Sequence, residues 1–444
     1  MKDMTKGNPF GLIIGFAIPM LIGNVFQQIY NVVDTIIVGR YLGEDALAGV
    51  GSTGTLTFFL LALVLGLCNG AGLIVAQCYG CKDEEKLCRT VTALIWVSGI
   101  MALIISMVGL VGAHVFLELL SVPEDCIEYA ETYLRIIFTL VIGNVAYNGA
   151  ASVLRSTGDS KTPLYILIGA SLINVVLDIV FILYCDMGVA GVAYATVASQ
   201  FFSAIVCIAY LYKKREIIGL TQMRLLPDKE AVGLIIKTGF PSAFQSCMIS
   251  LGGMSVQRLV NSYGSSVMAA YVAANRIDSV AFHVIVSIGT ALSVFTGQNM
   301  GQSNFDRIKE GLYKTLVLMI GASITIATLV LAFREPLMKV FLDADASGKA
   351  IEVGCTYLSI IGIAYVIAGI MQSYQNVIRG AGDVNACMVA GLTELAGRIV
   401  FAYLLSSIIG VTGIWIATPI SWGCGCVIPV VRYYSGKWKG KRLV

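Results

Sequence analysis

Long apolar stretches that carry almost no charge set the tightest limit on what this chain can fold into. Val91–Val111 and Pro163–Leu183 each run 21 residues, the first with no charged side chain and the second with Asp178 alone. About 20 helical residues cross a hydrocarbon core of ~30 Å. Of the 444 residues, 57% are hydrophobic and 13% charged, against about a quarter charged in a soluble protein that must face water. The apolar runs do not alternate with polar residues, which argues against a transmembrane barrel. Helices are the remaining way to satisfy backbone groups in lipid. The pattern predicts an all-α integral membrane protein with twelve spans, at roughly 11–37, 50–78, 91–113, 132–154, 162–184, 189–212, 233–261, 268–299, 312–333, 354–378, 385–408 and 411–434.

The basic residues give these spans a direction. Most of the 30 Lys and Arg fall in alternate loops, with Lys82, Lys86, Arg89, Lys213, Lys214, Arg215, Arg307, Lys309 and the tail Lys437–Arg442 on one side. The opposite loops are acidic, as in Glu124-Asp125-Cys126-Ile127-Glu128 and Asp343-Ala344-Asp345. The positive-inside rule then puts both termini in the cytoplasm, and the membrane expected is a bacterial or archaeal cytoplasmic one. Lys2 and Lys6 lead into an apolar run that continues as a full span, so no cleaved signal peptide is expected. The basic residues are dispersed, which does not suggest nucleic-acid binding. Cys78-Tyr-Gly-Cys81 has redox-motif spacing, but it follows a membrane span, and the chain holds two histidines to complete any metal site. We read these cysteines as ordinary thiols.

The halves repeat. Gln77-x-x-Gly80 recurs as Gln298-x-x-Gly301, Arg155-Ser-Thr-Gly158-Asp159 as Arg379-Gly-Ala-Gly382-Asp383, Gly188-Val-Ala-Gly191 as Gly410-Val-Thr-Gly413, and Pro19 as Pro241, all at an offset of about 222 residues. A duplicated six-span unit follows. Its copies share one orientation, giving two parallel repeats around a central cleft, the plan of an alternating-access transporter. The expected boundaries are an N-lobe at 1–212, a polar cytoplasmic linker at 213–232 and a C-lobe at 233–444.

Four acidic residues lie inside the spans: Asp34, Asp178, Asp278 and Glu394. Each costs at least ~2.5 kcal/mol to place mid-membrane and so needs a reason. At 100° per residue, Asn24, Gln27, Gln28, Asn31, Asp34 and Thr35 form one polar stripe on the first span, which should face protein or a watery cavity. Ser171, Asn174 and Asp178 share a face of the fifth span. A carboxylate leaves water at least cost when it is protonated or holds a cation. If Asp34 and Asp178 meet, they form a site for H⁺ or Na⁺; otherwise they hold the bundle together by interhelical hydrogen bonds. Glu394 and Arg398 stand at i, i+4 with opposite charge and read as a self-neutralising structural pair. Asp278 has Arg276 as its local candidate partner. Asn144, Tyr147 and Asn148 offer aromatic and amide contacts in the fourth span, while Gln372, Asn376 and Arg379 form a polar stripe in the tenth.

Asn31-Val-Val-Asp34-Thr-Ile-Ile-Val-Gly39-Arg40, the doubled Gly-Asp loops and the six-plus-six plan resemble the MATE (multidrug and toxic compound extrusion) family over essentially the whole chain. The resemblance implies a cation antiporter exporting organic, cationic or amphiphilic compounds, with no cofactor beyond the coupling ion. It implies an N-lobe cation site of Asp34, Asn174, Asp178 and Thr196, with Na⁺ an option at Asp34 and Asp178. It implies substrate contacts at Gln27 and Asn31, joined by Asn144, Tyr147 and Asn148. No carboxylate lies in the seventh or tenth span, which makes the chain more similar to the DinF-type than to the NorM-type branch. Partners are then small organic substrates and the bilayer, for a monomeric protein that is not an enzyme. An ATP-driven pump would need a Gly-x-x-x-x-Gly-Lys-Ser/Thr loop, which is absent. Gly380-Ala-Gly382-Asp383 matches an intramembrane protease signature, but its repeat at Gly158-Asp159 makes a duplicated turn the simpler account. A flippase for lipid-linked sugars is the main rival, and its cavity would be expected to carry several cationic residues.

Overall fold

The computed structural model describes residues 2–119, 122–342 and 348–444. The acidic pair Asp343 and Asp345 lies outside the described residues. Fourteen α-helices and no strand occur among them: α1 Pro9–Leu42, α2 Glu44–Cys81, α3 Glu84–Leu119, α4 Glu124–Thr139, α5 Ile142–Ser156, α6 Lys161–Ile179, α7 Gly188–Lys213, α8 Arg215–Ile218, α9 Lys229–Asn261, α10 Ser265–Gly301, α11 Phe305–Phe341, α12 Gly348–Gly380, α13 Val384–Ile409 and α14 Val411–Tyr434. Ten of these are long and apolar enough to cross a membrane, and α4 with α5 makes an eleventh span bent by 51°. The twelfth is α9, whose 33 residues reach ~50 Å at ~1.5 Å per residue. It carries Lys237, Gln245, Gln257 and Arg258, which interrupt its apolar run.

The fourth span, expected to be continuous over 132–154, is two helices. Without a proline at the break, the cause is tertiary: Ser106 Oγ of α3 donates to the carbonyls of Phe138 and Thr139 at 2.6 and 2.9 Å. Both carbonyls lie in the last turn of α4, where intrahelical bonding runs out, and the Phe138 carbonyl also takes a turn bond from the Val141 N–H at 3.3 Å. The prolines behave differently, since Pro19 and Pro241 sit inside unbroken α1 and α9.

The chain divides into two compact units, one made largely of residues 22–243 and the other of residues 4–21 and 244–443. Helices α1 and α9 each contribute to both, and in each the change comes three residues after its proline. The duplication is visible in the backbone as well. Left-handed or positive-φ residues recur in register at Gly43 and Gly264, Lys82 and Ser303, Gly158 and Gly382, and Gly188 and Gly410. In the first unit the stretch after α7 is strapped along α3. Cys88 Sγ donates to the Gly219 carbonyl, Thr92 Oγ1 to Arg224 O and Trp96 Nε1 to Leu225 O, at 3.3, 3.3 and 2.9 Å. Arg89 pairs with Asp228 at 3.1 Å. In the second unit α10, α12 and α14 share an apolar core in which Tyr271 stacks on Trp415 at 5.3 Å.

Small residues at Gly66 and Gly70 of α2 let α9 approach closely in the first unit. A Cβ added at Gly66 would lie within 3.0 Å of Ala243 backbone atoms, and one at Gly70 would come 2.5 Å from Gly239 N.

Candidate functional site

In the first unit α1, α6 and α7 bring four polar residues together. Asn174 and Asp178 are fully buried on one face of α6, a turn apart, and Thr196 of α7 is nearly so. Asp34, half-buried on α1, faces them. With the Asn174 amide turned as its neighbours require, Nδ2 donates to Asp34 Oδ1 and to Asp178 Oδ2, both at 3.1 Å. Its Oδ1 accepts from the Thr196 backbone N–H, also at 3.1 Å. One amide thereby ties three helices.

The carboxyl groups of Asp34 and Asp178 lie within hydrogen-bond reach of each other. Asp178 Oδ1 is buried with no hydrogen-bond donor on it. Two carboxylates this close inside a protein repel strongly while both are charged, so the pair is suited to sharing a proton or holding a cation. The α6 helix closes immediately beyond Asp178 in a π turn, Val180–Tyr184. Such turns interrupt regular helical bonding and recur near functional residues.

Two further side chains complete the group. The phenols of Tyr30 and Tyr133 stand close to Asp34 and Thr196, whose own hydroxyl is buried without a hydrogen-bond partner. Tyr30 stands one helical turn before Asp34, so its i, i+4 spacing could have identified it. Tyr133 comes from α4 and carries no local signal, because tertiary packing alone brings it in.

The remaining polar residues of α1 are disposed differently. Gln27 and Asn31 are exposed on the helix, and Thr35 folds its hydroxyl back onto the Asn31 carbonyl at 2.7 Å. The fourth-span residues stand apart from the carboxyl pair. Tyr147 Oη points to the Pro163 carbonyl at 3.5 Å, near the start of α6, among Ala150, Leu154, Ile166 and Cys207. Pro163 is 15 residues before Asp178, or ~22 Å along the helix. Asn148 Nδ2 turns to Asn144, donating to its carbonyl and side-chain oxygens at 2.9 Å.

The second unit has its own half-buried carboxylate. Asp278 accepts from Tyr365 Oη at 2.7 Å and from Tyr357 Oη at 3.3 Å, so its partners are two phenols of α12. Arg276, the neighbour anticipated from the sequence, is exposed and makes no ion pair among the described residues. Arg398 does pair with Glu394, at 2.9 Å. In the tenth-span stripe, Asn376 bonds Gln372 at 3.0 Å and Arg379 bonds Gln245 of α9 at 2.7 Å.

The MatE family model matches residues 19–180 and again 241–404. The two matches begin 222 residues apart, at Pro19 and Pro241, the offset found in the sequence. The chain belongs to the MatE family. A probable multidrug resistance protein of Bacillus subtilis, YoeA, is 30% identical over 440 residues, covering 96% of this chain and 94% of its own. A probable multidrug resistance protein of Thermotoga maritima, NorM, is 24% identical and covers 97% of this chain and 93% of its own. Among solved structures, a MOP superfamily transporter from Pyrococcus furiosus matches with a TM-score of 0.91 at 22% identity, over 98% of each chain. Like other MATE proteins, this one is a multi-pass membrane transporter and not an enzyme.

Proposed function

We propose that this MATE protein is an H⁺- or Na⁺-coupled antiporter that exports organic cations or amphiphiles from the cytoplasm by alternating access. The observation that carries the proposal is the Asp34–Asn174–Asp178 group, in which one buried amide holds two facing carboxyls at 3.1 Å each. A hard cation would find carboxylate oxygens there, and a proton would find a carboxyl pair that needs one. Thr196, Tyr30 and Tyr133 border the group and would sense its charge. Gln27 and Asn31, exposed further along α1, are the proposed contacts for substrate. Asn144, Tyr147 and Asn148 would serve a compound entering at the other end of α6. The basic loops would face the cytoplasm, with both termini inside and the lobes at 1–212 and 233–444 joined by 213–232, acting as a monomer.

Coupling requires the ion and the substrate to favour different conformations, since a ligand shifts an equilibrium only by its differential affinity for the two states. Charging the pair costs more when it is dehydrated. Loading with an ion would therefore favour the closed arrangement, and ion release the open one. The test is direct: add tetraphenylphosphonium to purified protein in weak buffer and follow protons or Na⁺ released to solution. Stoichiometric release by wild type, absent from Asp34→Asn, supports the proposal. Tight binding with no ion released by either protein would contradict it.

A further inference from the structure

On the first unit, away from the carboxyl group, α3, α5 and α7 enclose a groove of about 890 Å³. Its walls are apolar and small, with Leu94, Gly99, Val145, Gly149, Val153 and Leu211 among them. The floor is buried, with Val145 and Val153 each 1% exposed. The rim is open, with Ile95 at 59%, Ile208 at 50% and Tyr212 at 68%. Beyond the groove, exposed Leu103, Met107 and Val111 keep the outer surface of α3 apolar.

The groove has a polar end and an apolar end. Along α3 it runs from Val91 to Gly99, ~12 Å at ~1.5 Å per residue, most of the ~15 Å depth of one leaflet's hydrocarbon. At its polar end stand Arg215 and Glu216, where the strap covers the start of α3. Arg215 lies 4.3 Å over the Tyr212 ring. Neither it nor the adjacent Lys213 and Lys214 makes an ion pair among the described residues, so Glu216 leaves this run net positive. Farther along α3, Trp96 ties the strap down with its indole N–H on the Leu225 carbonyl.

We propose that this groove is a binding site for an anionic phospholipid of the leaflet on the basic side. One acyl chain would lie between α3 and α5, with the phosphate on Arg215 and the Lys213–Lys214 pair. The charge argues for this occupant. An unpaired guanidinium at the mouth repels a cationic compound and attracts a phosphate, and basic residues at a headgroup level recruit anionic lipid. The volume suits the apolar chain, lying at the upper end of the ~300–1,000 Å³ typical of ligand cavities. The consequence is structural: the lipid would brace α3 and α5 beside the α4–α5 break. The site does not depend on the transport reading.

The experiment uses purified full-length protein taken from bilayers of equal phosphatidylglycerol and phosphatidylcholine, with retained lipid counted by native mass spectrometry. Gly149→Leu is the first filler, because a Cβ there meets nothing nearer than Ser98 Oγ at 4.0 Å. Gly99→Leu, with nothing within 4 Å, serves as a second filler should the first fold poorly. Wild type should retain phosphatidylglycerol in preference after surrounding lipid is stripped. Arg215→Gln should cut that preference about fivefold, the effect of one basic residue near an anionic headgroup. The filled variants should lose both lipids. Equal retention of the two lipids by wild type, or undiminished retention by a well-folded filled variant, would overturn the assignment. So would displacement of all bound phosphatidylglycerol by tetraphenylphosphonium.

Discussion

Replacing Asn174 with leucine isolates what the amide does for the carboxyl pair. Leucine keeps the heavy-atom count and branch point of asparagine but has bulkier methyls, so at this fully buried site some overpacking adds to the cost. Comparing two backgrounds separates that from the lost hydrogen bonds. What disappears is the pair of donated hydrogen bonds to Asp34 and Asp178, at 3.1 Å each. The Thr196 N–H lies inside α7 and keeps a helical acceptor, so the deficit falls on the two carboxyls. A buried group deprived of its partner costs ~1–3 kcal/mol, giving ~2–6 kcal/mol for two. For a unit of this size, ~2–4 °C per kcal/mol turns the lower bound into a melting-temperature drop of at least about 4 °C. The assay is thermal unfolding in nanodiscs, followed by intrinsic fluorescence, of Asn174→Leu alone and in an Asp34→Leu, Asp178→Leu background. There the amide itself has lost its acceptors, so adding Asn174→Leu should be neutral or stabilising. The same cost in both backgrounds, or a cost below about 1 kcal/mol in the native one, would refute the reasoning.

Two further outcomes follow from local geometry. Gly66→Ala should destabilise by ~1–3 kcal/mol through overpacking. Ala243→Gly should not rescue it, because the new Cβ meets Ala243 backbone atoms as well as its methyl; paired melts would check both points. Glu394→Gln leaves Arg398 without its carboxylate and should cost ~3 kcal/mol, whereas Glu394→Leu with Arg398→Leu should cost less. Thermal unfolding of the single and double variants measures the difference.

Much of the architecture could be read from the chain because its causes are local. Span positions follow from the length of apolar runs, and the repeat follows from turn residues such as Gly158 and Gly382, whose positive φ values of 85° and 97° recur in the structure. Asp34 and Asp178 stood out because charged residues are rare in spans. Features with tertiary causes were not legible. The α4–α5 bend depends on a serine of α3 that takes two carbonyls. Tyr133 reaches the carboxyl group from a separate helix. The partners of Asp278 are phenols about 80 residues away, at Tyr357 and Tyr365, where sequence proximity pointed to Arg276. The close approach of α9 to Gly66 and Gly70 also has a tertiary cause, since nothing in α2 names its partner helix.

Efflux of a fluorescent organic cation from energised inverted vesicles, with H⁺ and Na⁺ gradients imposed separately on wild type and Asp34→Asn, tests the central claim most directly. An antiporter coupled through the carboxyl pair moves the dye under one gradient in wild type, and the movement is lost in the mutant although the protein remains folded. Equal gradient-driven efflux by both proteins would remove Asp34 from coupling. No movement of any cationic dye by folded wild type under either gradient would contradict the antiporter and turn attention to lipid-linked substrates.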